Sequence, residues 1–271
     1  MNHSSRRGSS NSAQPPRLFL EERRRQIREF ITTRERATVR QLTSHFGVSA
    51  VTIRSDLDAL TKAGGVLRSH GGAMCPAAAE DVPLSLKRKL HRAEKIRIAR
   101  AAARLIRDGE TIILDSGTTT EEIAGEIRGL PLRSLTVITN ALNVATALAS
   151  LSHVRVIVIG GMLRQVSSSL IGPQAEEVLR QLHADRLFLG IDSLDPEIGL
   201  MTPDILEAQL NTLMIEVSEQ VVAVADASKF NRRSLSVIAG VEKLDILITD
   251  TSASPEAVSV LRARGVEVML V

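Results

Sequence analysis

The stretch from Phe46 to Leu60, Phe-Gly-Val-Ser-Ala-Val-Thr-Ile-Arg-Ser-Asp-Leu-Asp-Ala-Leu, constrains the fold more than any other in this chain. Ile53, Leu57 and Leu60 recur at helical spacing, so one stripe of the segment can bury against a small core. Ser49 stands where an N-cap belongs, and Gly47 supplies a tight turn just ahead of it. At about 100° per residue, Val51, Arg54, Ser55, Asp58 and Lys62 fall on the opposite, outward stripe. Upstream, Val39, Leu42 and Phe46 mark a shorter amphipathic helix. Two short helices joined by Gly-Val-Ser make a helix-turn-helix, whose second helix can enter a DNA major groove. An ordinary helical hairpin with a solvated polar face has the same pattern.

The next residues weigh against the plain hairpin. Gly64-Gly65 ends the helix, and Val66-Leu67-Arg68-Ser69-His70-Gly71-Gly72-Ala73 reads as a short β-hairpin with a basic tip. Such a wing would lay Arg68 and His70 beside the phosphate backbone.

Val48-Ser49-Ala50-Val51-Thr52-Ile53-Arg54-Ser55-Asp56-Leu57, followed by Arg68-Ser69-His70-Gly71-Gly72-Ala73, resembles the winged helix-turn-helix of the DeoR family of bacterial transcriptional regulators. The resemblance implies a sequence-specific reader of duplex DNA, most simply a repressor of a sugar catabolic operon. Thr52, Arg54, Ser55 and Lys62 would meet the major groove, with Arg68 and His70 near the backbone. The family pattern usually has a second arginine where this chain has Ser55, so one cation is missing from the expected DNA face.

A length of 271 residues is comfortable for two domains. We expect a disordered tail over 1–17, rich in Ser, Asn, Arg and Pro, and a winged helix-turn-helix domain over 18–75. A proline-bounded linker is expected over 76–90, and an effector-binding and oligomerisation domain over 91–271. No apolar run approaches the roughly 18–20 residues of a membrane span, and the first seventeen residues lack the apolar core of a signal peptide. Cys75 is the single cysteine, so neither an intrachain disulfide nor a cysteine-based metal cluster can form. Cytoplasm is the expected compartment, and no cofactor is implied.

Residues 1–75 hold 13 Lys/Arg against 6 Asp/Glu, whereas residues 76–271 hold 21 against 25. A basic small domain joined to a mildly acidic larger one suits a DNA reader attached to something else. The bland alternative is that Arg23, Arg24, Arg25 and Arg28 only solvate the first helix. With no Trp or Tyr and five Phe, the chain lacks the rings on which single-stranded nucleic acid is commonly stacked. Double-stranded DNA is the better partner.

Beyond the linker, a helix over Lys95 to Ile106 leads into an alternating pattern. Thr111–Leu114, Leu135–Ile138, Val154–Ile159, Arg186–Ile191, Gln220–Ala225 and Leu244–Thr249 are aliphatic runs, with helical patterns between several of them. This predicts an α/β domain, a mostly parallel sheet covered by helices on both faces. The runs stop at Asp115-Ser116-Gly117, Thr139-Asn140, Gly160-Gly161, Asp192-Ser193, Asp226 to Lys229 and Thr249-Asp250, which could line one crevice.

The most informative of these ends is Asp115-Ser116-Gly117-Thr118-Thr119-Thr120, between a strand and a helix. Outward backbone N–H groups and three hydroxyls at a helix N-terminus favour an anion. Without Gly-Lys-Ser/Thr it is not a nucleotide triphosphate loop. A capping box of Thr118 or Thr119 with Glu121 or Glu122 explains the same residues structurally. Lys229 could reach a phosphate or sugar oxygen, although a lone loop lysine is more often a solvated charge.

These ends, with Gly172 and Phe230, also look like the effector domain of DeoR-family regulators. That likeness implies a fold similar to ribose-5-phosphate isomerase and a phosphorylated sugar effector. Ser116, Gly117, Thr118, Thr119 and Thr120 would hold the phosphate, with Asp115, Asn140 and Lys229 approaching the sugar. The segment from Thr202 to Ile215 resembles the branch associated with N-acetylgalactosamine and other amino sugars. A homodimer or larger homo-oligomer is expected, because helix-turn-helix proteins usually read two half-sites.

A sugar-phosphate isomerase or deaminase fused to a DNA-binding domain is the alternative. None of the six histidines stands at a polar strand end, and no Ser-His-Asp or metal-ligand spacing stands out.

Overall fold

A computed structural model describes residues 20–34, 36–63, 65–69, 71–74 and 83–271. The expected tail over 1–17, His70, Cys75 and the stretch 76–82 of the expected linker lie outside the described residues. The chain divides into two compact units, Met1–Ala78 and Ala79–Val271.

In the first unit the order is α1 (Leu20–Arg34), β1 (Arg36–Thr38), α2 (Val39–Phe46), α3 (Ala50–Lys62), β2 (Leu67–Ser69) and β3 (Gly72–Met74). Thr38 caps α2 by accepting from the Gln41 N–H while the Gln41 side chain accepts from the Thr38 N–H, a reciprocal box. Gly47 ends that helix in the left-handed region at φ 65°, its N–H donating to Thr43 O, a conformation glycine adopts without Cβ strain. Ser49 then caps α3 by accepting from the Thr52 N–H. Ile27 and Ile31 of α1, Leu42 of α2, and Ile53 and Leu57 of α3 are fully buried together. The wing is a three-stranded antiparallel sheet in the order β1-β3-β2, closed by a strand that the sequence pattern does not announce. Gly72 is required there: a Cβ would lie 2.2 Å from Ala37 O.

Asp56 joins neither stripe of α3. It is 1% exposed, and its carboxylate accepts from Arg23 Nε at 2.6 Å and Arg24 Nε at 3.1 Å. Two of the first helix's arginines therefore clamp α1 to α3 and are not merely a solvated charge run.

The second unit contains α4 (Leu84–Lys87), α5 (Arg92–Ala103), β4 (Thr111–Leu114), α6 (Thr118–Ile127), β5 (Leu135–Thr139), α7 (Leu142–Leu148) and β6 (Val154–Val158). After these come β7 (Met162–Arg164), β8 (Ser169–Ile171), α8 (Pro173–Leu179), β9 (Ala184–Gly190), β10 (Ser193–Asp195), β11 (Gly199–Thr202) and α9 (Ile205–Glu216). The remainder is β12 (Ser218–Val224), β13 (Ser236–Ala239), β14 (Ile246–Thr249), α10 (Pro255–Ala263) and β15 (Glu267–Leu270).

Seven parallel strands form the central sheet in the order β15-β14-β12-β9-β4-β5-β6. Successive strand residues enter opposite cores, as the pleat requires. Ile113, Leu187 and Leu189 pack with Ala175, Leu210 and Leu261 on the face of α8, α9 and α10. Ile112, Leu114 and Phe188 pack with Ile98, Ile123 and Val144 under α5, α6 and α7. The expected parallel sheet covered on both faces is thus present. A hairpin of β7 and β8, a small antiparallel sheet of β10, β11 and β13, and the edge strand β15 add to the six expected runs. The α4 helix occupies residues that the sequence reading assigns to a linker. Among the described residues no helix is long and apolar enough to cross a membrane.

Candidate functional site

On the first unit, Val51, Arg54, Ser55, Asp58 and Lys62 are all exposed along the outer stripe of α3, with Val51 at 74%. Thr52 is half-buried, and its hydroxyl lies 2.9 Å from Ser49 Oγ, so it belongs partly to the cap. From the wing, Arg68 reaches Asp58 at 3.5 Å. This pair is exposed and weak in water, and it leaves the guanidinium able to turn to a phosphate.

In the second unit, β4 has β5 on one side and β9 on the other, while the chain returns to β9 only after β6. The sheet's switch point therefore lies between β4 and β9, where open α/β sheets form a ligand crevice. Asp115 leaves β4 at that point. It is 1% exposed and its Oδ1 has no hydrogen-bond partner. Burial pushes its carboxyl well above the usual carboxylate range, against the Gly190 N–H and the Thr120 hydroxyl, while Glu207 and Asp192 add to the rise. Asp115 thus has an unused oxygen in surroundings that favour its protonated form, which suits a group awaiting a partner. Gly190, at the end of β9, keeps the approach open, since a Cβ there would stand 3.3 Å from Oδ1.

The helix that follows departs from the sequence reading in two ways. Gly117 is the N-cap and no side chain caps α6, so the capping box does not form. Glu121 instead takes both arms of Arg88, each at 2.8 Å, and Glu122 faces Arg92 at 3.6 Å. Nor do all three threonine hydroxyls point outward. Thr120 is fully buried and donates to Asp115 O and Gly117 O at 3.0 and 3.1 Å, where it stitches the loop closed. Thr118 and Thr119 are 8% and 7% exposed. With its glutamates held by arginines and no side-chain cap, the first turn of α6 keeps N–H groups for an anion.

Asn140 follows β5 and is likewise buried. Its Nδ2 donates to Leu170 O at 3.3 Å, and its Oδ1 has no partner. On α7, Asn143 has neither amide atom paired. The far wall is built on Glu207, which accepts from Ser169 Oγ at 3.0 Å and Thr202 Oγ1 at 3.3 Å, with Arg164 at 3.5 Å.

Cations gather at the ends of β9 and β12. Lys229, in a 3-10 turn after β12, is not a solvated loop charge: its side chain is 19% exposed and its Nζ lies 3.8 Å from Asp192 Oδ1. Lys87 of α4 reaches the same oxygen at 2.6 Å. Enclosure alone would raise the Asp192 carboxyl, but Lys87 and Lys229 hold it down to about 2. Lys95 of α5, 4% exposed, donates to Lys87 O at 2.6 Å and Leu90 O at 2.7 Å. Burial lowers its pKa to about 8, with Asp226 acting in the opposite sense. Enclosure also lowers Lys229, opposed by Asp192 and Asp226.

The tertiary structure thus brings Asp115, the start of α6, Asn140 and Lys229 to the carboxyl ends of one sheet. Sequence reasoning misses Lys87 and Arg88, because α4 is a single turn inside a stretch whose prolines read as linker, and Lys95, which reads only as the start of a helix. Among the described residues no group of His, Cys, Asp and Glu could hold a metal ion.

Residues 23–78 match the DeoR-like helix-turn-helix domain, and residues 90–251 match the DeoR C terminal sensor domain. A protein of Escherichia coli O157:H7 named as an aga operon transcriptional repressor is 42% identical over 253 residues, 92% of this chain and 93% of that one. The transcriptional repressor AccR of Agrobacterium fabrum is 36% identical, over 85% of this chain and 90% of its own. The glycerol-3-phosphate regulon repressor of Escherichia coli K12 is 34% identical, over 87% and 92%. Ribose 5-phosphate isomerase A from Methanocaldococcus jannaschii overlaps 52% of this chain and 55% of its own, with a TM-score of 0.38 and 17% identity.

Proposed function

The chain belongs to the DeoR family of transcriptional repressors, and from that premise we propose that it is a repressor released from duplex DNA by a phosphorylated amino sugar. In this reading the first unit is the DNA reader. Arg54, Ser55, Thr52 and Lys62 of α3 enter the major groove, and Arg68 and His70 approach the backbone. The second unit takes the effector and carries self-association, so that two readers meet two half-sites.

Phosphate at the open first turn of α6, beside Lys229, would neutralise enclosed cations. The sugar would satisfy Asp115 Oδ1 and Asn140 Oδ1, which lack partners in the protein. The observation that carries the reading is this pairing of buried, unpartnered acceptors with an uncapped helix start at the switch point. Whichever sugar phosphate binds more tightly to the arrangement that cannot hold DNA lowers operator affinity by that difference. The named repressors match this chain over more than four-fifths of its length, which favours a regulator over a sugar-phosphate isomerase or deaminase.

Dye-based thermal shift with a panel of phosphorylated sugars tests the proposal, since the chain has no Trp or Tyr to report. A phosphorylated amino sugar should raise the melting temperature of the second unit and release promoter DNA. Both effects should weaken in Thr119→Val and Lys229→Ala. A panel in which no sugar phosphate alters the hold on promoter DNA defeats the reading.

A further inference from the structure

The short segment from Leu84 to Arg92 is bound to three separate walls of the crevice. Leu84 N–H donates to Val166 O at 2.9 Å, in the turn between β7 and β8. Arg88 and Arg92 hold Glu121 and Glu122 on α6. Lys87 reaches Asp192 beyond β9, and the buried Lys95 ammonium grips Lys87 O and Leu90 O from beneath. A four-residue helix has little stability of its own, so these contacts define its place.

The charges around Lys87 are unbalanced. Lys87 and Lys229 share one carboxylate oxygen of Asp192, at 2.6 and 3.8 Å, and both ammonium groups are partly enclosed, at 22% and 19% exposure. Lys95 and Arg232 act on the same group, so four cations face the carboxylates Asp192, Asp226 and Glu122. Lysine is suited to changing partners, having three donors on a flexible stem.

We infer that Lys87 is an effector-binding residue: it exchanges Asp192 for the ligand's phosphate. Lys95 is the positioning residue, because its bonds to the backbone of residues 87 and 90 set where Lys87 begins. The inference rests on the sugar-phosphate reading and adds to it a lysine that takes the phosphate.

Calorimetry on the full chain with galactosamine 6-phosphate and with inorganic phosphate, paired with binding to the DNA upstream of the protein's own gene, tests this. Lys243→Gln, which removes an exposed cation from the same unit, sets the scale of nonspecific charge loss. Lys87→Gln should weaken galactosamine 6-phosphate at least tenfold and reduce the ligand-induced loss of DNA affinity to less than twofold. Asp192→Asn should act in the opposite direction and tighten inorganic phosphate several-fold, because it removes the competing anion. That opposite sign separates partner exchange from a merely structural bracket. The inference falls if Lys87→Gln behaves as Lys243→Gln does, or if Asp192→Asn weakens phosphate. If the unaltered chain binds neither probe while Asp192→Asn binds phosphate, galactosamine 6-phosphate falls as the effector and the anion site at Lys87 stands. If neither protein binds, both fall.

Discussion

Replacing Asp56 by alanine should remove about half the stability of the DNA-reading unit and leave the sensor intact. The carboxylate is 1% exposed and joins two guanidinium groups at 2.6 and 3.1 Å. Breaking a buried ion pair from one side costs about 3–5 kcal/mol, because the remaining charge loses its partner in a poorly solvated place. Here the remaining charges are the arginines, whose side chains are 14% and 24% exposed and can turn partly to water. That relief brings the expected loss to about 2–3 kcal/mol. A small domain is stable by only some 5 kcal/mol, so the loss removes about half of it. The two units are separate, so a single melting temperature would not report this. Hydrogen exchange resolved by peptide on the full chain does: amides of α1 and α3 should lose protection roughly 30- to 150-fold, while those of β9 and β12 stay as they were. Asp56→Asn keeps the shape and one acceptor and should cost about half as much. Unchanged protection of α1 and α3 in Asp56→Ala would refute the clamp.

Arg54→Ala, on the exposed stripe of α3, should weaken operator binding by about 1–3 kcal/mol without altering exchange in the core; fluorescence anisotropy against promoter DNA measures it, and equal affinity rejects the contact. Asp115 has a raised carboxyl pKa in the folded chain, so the stability it contributes is lost as pH rises above the ordinary carboxylate range. Asp115→Asn should therefore gain stability relative to the unaltered chain as pH rises from about 4, and bind effector more weakly, as denaturant titrations and calorimetry would show. Lys95 has the opposite chemistry: its pKa falls from 10.5 to about 8 on folding, so the folded chain binds fewer protons across that window and stability rises with pH. Compared with Lys95→Met, the unaltered chain should gain about 3 kcal/mol from pH 8 to 10.5, and a flat difference would mean that the ammonium is not buried.

Periodicity, caps and breakers in the sequence determine much of this protein by themselves. The buried stripe of Ile53 and Leu57, the cap at Ser49 and the left-handed turn at Gly47 depend on residues close in sequence, so α2 and α3 are legible there. The six aliphatic runs identify a sheet buried on both faces, since only such strands have no polar side. Strands of three residues such as β1, β7 and β10 carry too little pattern. Only the tertiary structure decided that Asp56 clamps two arginines and that Thr120 turns inward. It also decided that α6 starts from Gly117 without a side-chain cap and that Arg88 and Arg92 hold its glutamates. The same is true of Lys87 and Lys229, which meet at Asp192 from places more than 100 residues apart in the chain. Local sequence specifies which face of an element is apolar, but the charge that stands opposite a given side chain depends on strand order, and strand order is a property of the whole sheet.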